Sequence, residues 1–197
     1  EVDIRSGIFG KDIEKVKPVT MQAQSDTAVL DNVLELLVES GRSLPHALRL
    51  LIPEAWSKNP HMDQPRKDWY DYHSTLMEPW DGPALVAFTD GFHVGAILDR
   101  NGLRPARYCV TSDDQFIMAS EIGVLDTPPE KIVRTGRLKP GQMLLVDPDR
   151  GGIVPDEQVF ADLTNEKYGQ WLQERRVKLS EVKKESNAEP VPFDYQR

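Results

Sequence analysis

The spacing of apolar residues along the chain first follows the period of a helix. A helix signal begins at residues 25–27, where Ser, Asp and Thr side chains can accept bonds from free backbone N–H groups, and it ends at Gly41. Between these points apolar residues recur on one helix face: Val29, Leu30, Val33, Leu34, Leu37 and Val38. The pattern predicts an amphipathic helix with its apolar face towards a core.

Two more helices are predicted before the middle of the chain. One follows Ser43, with Pro45 in its first turn and Pro53 beyond its end. Residues 56–65 are predicted to form a loop, because the residue before each of its two prolines disfavours the α conformation. An aromatic-rich helix over residues 66–78 is expected next.

The period then changes to that of β-strands. Short apolar runs separated by Gly and Asp clusters predict an antiparallel meander over residues 85–88, 94–98, 108–110 and 116–119. Further strands are predicted at residues 132–134, 143–147 and 153–154. Residues 156–184 return to helical spacing, with a break at 162–164. Helices covering the faces of antiparallel sheets make the predicted fold class α+β.

Composition limits the classes of function. Of 197 residues, 39% are hydrophobic and 28% charged, as in ordinary globular proteins. There are 24 basic and 32 acidic side chains, a net charge of −8, which argues against a nucleic-acid partner. No apolar stretch is long enough to span a membrane. A single cysteine excludes an internal disulfide and favours a reducing compartment.

The spacing of chemically active residues indicates neither a metal site nor a phosphate loop. The four histidines are scattered, and no glycine-rich phosphate motif occurs. Cys109 lies between Tyr108 and Val110 in a predicted strand, so it is interpreted as a small apolar core residue rather than a nucleophile.

Two polar features leave alternatives open. Asp26 is either a helix-capping carboxylate, favoured by the positive end of the helix dipole, or a group that holds a ligand's ammonium. Residues 99–107 place three arginines around a tight turn, which is either a hairpin whose arginines pair with nearby carboxylates or a site for an anion. Spacing does not decide between these readings.

Several strings of the sequence resemble, in the same order, strings of the class II glutamine amidotransferase domain of glutamate synthase large subunits. They are residues 25–32 (SDTAVLDN), 78–84 (EPWDGPA), 88–91 (FTDG), 99–108 (DRNGLRPARY) and 119–123 (ASEIG). The second and fourth are specific to this family, and the similarity covers about residues 1–180. Amidophosphoribosyltransferases share the Ser-Asp pair and the general NGxRP pattern but not EPWDGPA.

The resemblance implies a four-layer αββα sandwich of the N-terminal nucleophile hydrolase type. In that family an N-terminal cysteine attacks the side-chain amide of glutamine, with its own α-amine as base. A glutamyl thioester forms, ammonia leaves through a tunnel towards a 2-oxoglutarate site, and water releases glutamate. An arginine for the substrate carboxylate and an Asn-Gly pair for the oxyanion complete the site.

The resemblance also assigns roles within this chain. The first residue is Glu1 rather than cysteine, so the nucleophile, the arginine and the Asn-Gly pair are expected upstream. Residues 1–185 are therefore expected to be the C-terminal part of the amidotransferase domain, and residues 186–197 a polar tail or linker. No catalytic residue is expected here, and the chain alone is expected to be inactive. Asp26 is expected to bind the α-amino group of glutamine, and Arg104 and Arg107 to brace the sheet near the pocket.

The parent protein implied by the resemblance uses FMN and an iron–sulfur cluster, neither of them held by this chain. Its partners would be glutamine, the N-terminal part and synthase domains of the same polypeptide, and a small reductase subunit, with no nucleic acid and no membrane. Its location would be the bacterial cytoplasm, or a plastid for a ferredoxin-dependent form.

Two other functions remain open. One is a non-catalytic packing or interaction module. The other is an enzyme like the amidophosphoribosyltransferases, although no acidic pair followed by a Gly/Thr loop is present. A domain lacking its first part is further expected to leave apolar strand faces at residues 85–88 and 94–98 exposed, or covered by a second copy.

Overall fold

A computed structural model describes residues 10–164 and 167–185, with the helices at either end of the chain and the strands between them. The helices are α1 (Ile13–Val16), α2 (Asp26–Glu39), α3 (Leu44–Leu51), α4 (Gln64–His73), α5 (Asp156–Leu163), α6 (Lys167–Arg175) and α7 (Leu179–Glu185). The strands are β1 (Leu85–Thr89), β2 (Val94–Leu98), β3 (Arg107–Thr111), β4 (Phe116–Ala119), β5 (Ile132–Arg137), β6 (Met143–Asp147) and β7 (Gly152–Val154).

The strands form two antiparallel sheets that pack face to face. Sheet A has the order β1-β2-β6-β7, and sheet B has the order β4-β3-β5. Alternate residues of β2 point to opposite faces. Ile97 belongs to the core that sheet A shares with the helices, whereas Ala96 and Leu98 belong to a second core that includes Tyr108 and Phe116 of sheet B. The described residues thus form three layers: helices, sheet A and sheet B.

Helix α2 confirms the first predicted helix, including both of its ends. The Ser25 hydroxyl accepts a bond from the N–H of Ala28 at 3.3 Å. At the other end Gly41 has φ +91°, a conformation that only glycine adopts readily. The N–H groups of Gly41 and Arg42 then donate to carbonyls of the last turn at 2.8 and 3.4 Å, a Schellman motif.

The predicted bounds of the aromatic helix, residues 66–78, are wrong at both ends. Helix α4 begins at Gln64, because the Asp63 carboxylate caps it by accepting from the N–H of Arg66 at 3.1 Å. Pro65 lies in the first turn, where its missing N–H costs nothing. The helix ends at His73, and turns follow in which the N–H groups of Thr75 and Leu76 donate to carbonyls three residues earlier.

The predicted meander of four strands is also wrong, since β2 and β3 lie in different sheets. Strand β2 pairs with β6, and β3 pairs with β4 and β5. Short apolar runs reveal strands but not their partners. The expected exposure of residues 94–98 is wrong as well: Gly95 to Leu98 are buried between neighbouring strands and layers, and only Val94 is half exposed.

The remaining strands are confirmed, and so is an interruption of the last helical segment close to residues 162–164; a second interruption, at residues 176–178, was not predicted. Helix α5 ends at Leu163, Thr164 is extended, and α6 runs from Lys167. The predicted tail, residues 186–197, and the first nine residues lie outside the described part of the chain. Among the described helices, none combines the length and apolar character needed to cross a membrane.

Candidate functional site

Asp26 is the first residue of α2, and its side chain is exposed. The second turn of this helix is tied to the preceding segment by Asn32, whose side-chain amide donates to the carbonyl of Val19 at 3.0 Å. Within residues 10–164 and 167–185 the Asp26 carboxylate has neither an ion-pair partner nor a hydrogen bond, and Ser25 supplies the cap instead. A carboxylate placed this way can accept a bond from a ligand's ammonium group.

The three arginines of residues 99–107 do not act as one group. Arg100 pairs with Asp81 at 2.9 Å. Residues 99–107 are nevertheless not the turn of a hairpin, because the strands on either side, β2 and β3, lie in different sheets. Arg104 is exposed in the connection between the sheets, and Arg107 is the exposed first residue of β3. Neither of these two has a carboxylate partner among the described residues. Arg107 lies in sheet B and Asp26 in the helical layer, so they line no common cavity. A bracing role for Arg104 and Arg107 stays a prediction.

Asp99 organises the turn that carries these arginines, and residue spacing alone did not single it out. It is buried at the end of β2, where its carboxylate accepts from the N–H groups of Ala84 at 3.1 Å and Asn101 at 2.9 Å. Its carbonyl accepts from Gly102 and Gly141 at 3.0 and 2.9 Å. Asp99 therefore connects the two most specific strings, residues 78–84 and 99–108. The Asp-x-Asn-Gly pattern of a side-chain-stabilised turn was the available signal.

Cys109 lies in the middle of β3, and the prediction that it is a core residue is wrong. Its side chain is half-buried and lines a groove on the face of sheet B that points away from sheet A. Its neighbours directly across the strands are Ile117 and Thr135, neither of which is a base.

His46 and His73 form a pair that the sequence did not reveal, since they lie on different helices. Their Nε2 atoms are 2.9 Å apart. The Nδ1–H of His73 donates to the carbonyl of Trp69 at 2.7 Å, so its Nε2 accepts the proton of His46. Burial lowers the pKa of His46 to about 4 and that of His73 to about 3, with the charge of Arg42 acting in the same direction. Both rings are therefore neutral at pH 7.

A buried cluster of charges fastens the helices to sheet A. Arg49 and Arg66 both donate to the carboxylate of Asp156, which also accepts the N–H of Met143 at 2.8 Å. Burial by itself would raise the pKa of Asp156, but the charge of Arg49 and the donated hydrogen bonds hold it below its ordinary value. Its residues come from four elements, α3, α4, β6 and α5, so no local sequence pattern predicts it. In the described ranges no three His, Cys, Asp or Glu side chains are arranged to hold a metal ion.

Comparison with known proteins defines the class. The profile of the class-II glutamine amidotransferases matches residues 1–171. The chain is 47% identical to the glutamate synthase [NADPH] large chain of Bacillus subtilis over 173 residues, which are 87% of this chain and 11% of that protein. It is 45% identical to the glutamate synthase [NADH] of Saccharomyces cerevisiae over 96% of this chain and 9% of that one. The chain belongs to the class-II glutamine amidotransferase family.

The relatives differ in their electron donors and are much longer. The ferredoxin-dependent glutamate synthase 2 of Synechocystis is 46% identical over 96% of this chain and 12% of its own length. The chain thus spans about a tenth of the length of these curated relatives. Among solved structures, a glutamine phosphoribosylpyrophosphate amidotransferase from Bacillus subtilis aligns with 73% of this chain and 25% of its own at a TM-score of 0.40 and 20% identity. That likeness is too distant to carry an argument.

Proposed function

We propose that this chain is part of the glutamine-hydrolysing unit of a glutamate synthase and that Asp26 binds the α-amino group of glutamine. The observation that carries the proposal is the Asp26 carboxylate, which is exposed and unpaired in the described part of the chain. It lies in one of the strings that resemble the family's amidotransferase domain. The similarity of the whole chain to glutamate synthases supports the same role.

The role of Asp26 is electrostatic and positional. The partial positive charge of the α2 N-terminus favours the ionised carboxylate, and an ammonium group seated on it gains a charge-assisted hydrogen bond. The Ser25 cap and the bond from Asn32 to Val19 order the first two turns of α2, and with them the carboxylate, before the substrate arrives. Glutamine and water would then give glutamate and ammonia, and the ammonia would be used for reductive transfer to 2-oxoglutarate.

The nucleophile of this reaction is proposed to come from outside this chain. The only cysteine, Cys109, has no base beside it and lies in mid-strand rather than at a chain terminus. Glutamine hydrolysis therefore requires the part of the domain that carries the N-terminal cysteine. The chain alone is expected to release no glutamate.

The cofactors of the parent are proposed to be bound by its other domains. An iron–sulfur cluster is held by several cysteines, and this chain contains one. The cluster would therefore be held by the rest of the polypeptide, and we propose that FMN and any small reductase subunit bind there too. The compartment follows the parent: the bacterial cytoplasm, or a plastid for a ferredoxin-dependent form.

The test compares two aspartates of the same helix in the full-length protein. Asp26→Asn is expected to raise the KM for glutamine by about tenfold or more, since losing a hydrogen bond to a charged group costs about 1.5–3 kcal/mol. Asp31→Asn, an exposed position of α2, is the matched control and is expected to leave the KM unchanged. Equal KM values for the two variants would refute the assignment of Asp26.

The proposed dependence on an external nucleophile has its own assay. Glutamate release is measured with the isolated 197-residue chain and with the Cys109→Ser variant. We expect no turnover from either. Turnover that disappears with Cys109→Ser would show that the chain carries its own nucleophile. A non-catalytic module, one of the two alternatives, predicts that full-length Asp26→Asn has no effect on glutamine hydrolysis.

A further inference from the structure

A cleft lies between the loop that follows α3 and the segment that precedes β1. Its volume is about 550 Å³. It is lined by residues 53–59, residues 79–81 and Arg100. Trp56 and Trp80 give it apolar walls, and a proline of the lining lies close to each of them in the sequence. Asp26 is not among the lining residues, so the cleft is distinct from the proposed glutamine contact.

Both tryptophans of the cleft are fixed in position. Trp56 stacks on Tyr70 of α4 with the ring centroids 6.1 Å apart, and the backbone N–H of Trp80 donates to the carbonyl of Leu51 at 2.7 Å. Each is half-buried and packs against the helical core. Neither indole N–H has an acceptor among residues 10–164 and 167–185. In this part of the chain the cleft therefore offers two positioned aromatic faces and two hydrogen-bond donors.

The lining of the cleft also carries a lysine without a carboxylate partner. The two acidic side chains of the lining, Glu54 and Asp81, already pair with arginines. Lys58 is exposed and has neither an ion-pair nor a hydrogen-bond partner in the described ranges. A carboxylate next to an apolar stretch would complement this ammonium group.

Aromatic-lined grooves of this kind bind extended segments that contain proline. A polyproline II segment makes no internal hydrogen bonds, so its carbonyls can accept from indole N–H groups. Proline also restricts its own φ and favours an extended conformation for the residue before it. Such a segment loses little conformational freedom when it docks. The chemistry of the cleft thus matches a short proline-containing segment with an acidic residue beside it.

The chain contains one segment of this composition. Pro190 and Pro192 are its only Pro-x-Pro pair, with Glu189 directly before them and Phe193 directly after them. Polyproline II has three residues per turn, so Pro190 and Phe193 would share one face of such a segment. These residues belong to the predicted tail or linker, residues 186–197, which lies outside the described ranges.

The chain is fastened close to the cleft shortly before this segment begins. Arg176, which precedes α7, pairs with Asp71 of α4 at 2.5 Å. Asp71 directly follows Tyr70, the residue on which Trp56 stacks. From the end of α7 at Glu185, five residues lead to Pro190, and an extended chain of five residues spans about 17 Å. This length exceeds the diameter of a helix, about 10–12 Å, so the segment can pass across α4 to the cleft.

We propose that residues 189–193 dock in this cleft, with Pro190 against the two indole rings and the Glu189 carboxylate on the ammonium group of Lys58. The glutamate synthases are about ten times longer than this chain. In a polypeptide of that length the docked segment would fix the direction in which the chain leaves the amidotransferase domain. The proposal does not depend on Asp26 or on glutamine.

Cross-linking without a spacer tests the proposed ion pair. A water-soluble carbodiimide joins a lysine to a carboxylate that it contacts, and peptide mass spectrometry identifies the new amide. In the full-length protein we expect Lys58 to be joined to Glu189 of the same chain. Lys58 joined to a carboxylate outside residues 186–197, or to none, would overturn the proposal.

The same reaction shows whether the segment comes from a second copy. It is repeated on a mixture of unlabelled and isotope-labelled full-length protein. We expect both halves of the amide to carry the same label. Amides that combine the two labels at the frequency of random pairing would identify a second copy as the source of the segment and would overturn the proposal.

Paired variants test the role of the prolines. Pro190→Ala/Pro192→Ala keeps Glu189 but removes the restricted backbone and the proline rings, so the initial rate of amide formation is expected to fall at least about threefold. The matched control, Asn187→Ala/Gln196→Ala, makes two substitutions in the same segment outside residues 189–193 and is expected to keep the wild-type rate. Equal rates for the two double variants would show that the prolines do not bind the cleft.

The oxidation of the tryptophans gives a readout that does not use Lys58. Hydroxyl-radical footprinting of the full-length protein, followed by peptide mass spectrometry, measures how accessible each indole ring is. Oxidation of Trp56 and Trp80 is expected to rise in Pro190→Ala/Pro192→Ala, whereas that of Trp69, which is fully buried in the helical core, is expected to stay the same. Unchanged oxidation of both cleft tryptophans would overturn the proposal.

Discussion

The guanidinium of Arg49 donates to the carboxylate of Asp156 across 107 positions of the sequence, inside the core. Arg49 also donates to the carbonyl of Gly141 at 2.6 Å. One ion pair therefore connects α3, the turn before β6, and the start of α5. A buried charge is stable only when it is paired and hydrogen-bonded, so each member of this cluster depends on the others.

Removing the charge of Asp156 is expected to destabilise the fold strongly. Asp156→Asn leaves Arg49 buried without its counter-charge, which costs about 3–5 kcal/mol of unfolding free energy. Asp162→Asn removes a carboxylate that pairs with Arg150 at the surface and is expected to cost less than about 1 kcal/mol. Urea unfolding followed by circular dichroism measures both. Similar losses of unfolding free energy in the two variants would contradict the conclusion that burial makes the Arg49–Asp156 pair important.

The His46–His73 pair is expected to make the fold sensitive to mild acid. The pKa values in the folded state, about 4 and about 3, lie below the ordinary value of 6.5. Between the folded-state pKa values and 6.5, the unfolded chain binds more protons than the folded chain. The stabilising contribution of the neutral histidines is therefore fully present above pH 6.5 and decreases as the pH falls towards 4. Each histidine contributes a slope of up to about 1.4 kcal/mol per pH unit.

Replacing the His73 ring tests whether the histidine pair causes this pH dependence of stability. His73→Phe keeps an aromatic ring against Trp69 but cannot be protonated, so the unfolding free energy is expected to depend less steeply on pH between 4.5 and 6.5. His61→Gln, at an exposed position, serves as the control and should reproduce the wild-type slope. A slope unchanged by His73→Phe would rule out the pair as its source.

Gly95 is expected to be irreplaceable in the centre of sheet A. A Cβ atom there would lie 2.4 Å from the Phe88 ring and 2.5 Å from the carbonyl oxygen of Leu144. The oxygen belongs to the paired backbone of β6 and cannot move aside, so Gly95→Ala is expected to cost at least about 3 kcal/mol. At Gly41 an added Cβ would contact nothing, so Gly41→Ala is disfavoured only by the left-handed backbone conformation, at a cost of about 1–2 kcal/mol. Thermal unfolding should rank the two variants in this order.

Asp99 is expected to need both of its carboxylate oxygens. Asp99→Asn turns one acceptor into an N–H₂ group that faces the N–H of either Ala84 or Asn101, so a buried donor loses its partner at a cost of about 1–3 kcal/mol. Asp81→Asn breaks the exposed pair with Arg100 and should change stability by less than about 1 kcal/mol. Hydrogen exchange of the Asn101 amide gives a local readout, and unchanged protection in Asp99→Asn would contradict the role of this carboxylate.

Local signals account for the elements that were predicted correctly. Ser25 and Gly41 bound α2 because capping and left-handed backbone are properties of single residues and their immediate neighbours. The bounds of α4 were missed because the effect of the proline at 65 depends on whether a cap precedes it, and Asp63 provides that cap.

The amino-acid sequence by itself determined helices α2 to α6, the positions of all seven described strands, the α+β class and, through its characteristic strings, the family. The tertiary structure alone decided which strands pair, because hydrogen bonds between β2 and β6 or between β3 and β5 join residues far apart in the chain. It also decided which polar groups meet: Arg49 with Asp156, His46 with His73, and Arg107 with Arg137. The physical reason is that capping and periodicity act over a few residues, whereas pairing and burial depend on positions that only the packed layers bring together.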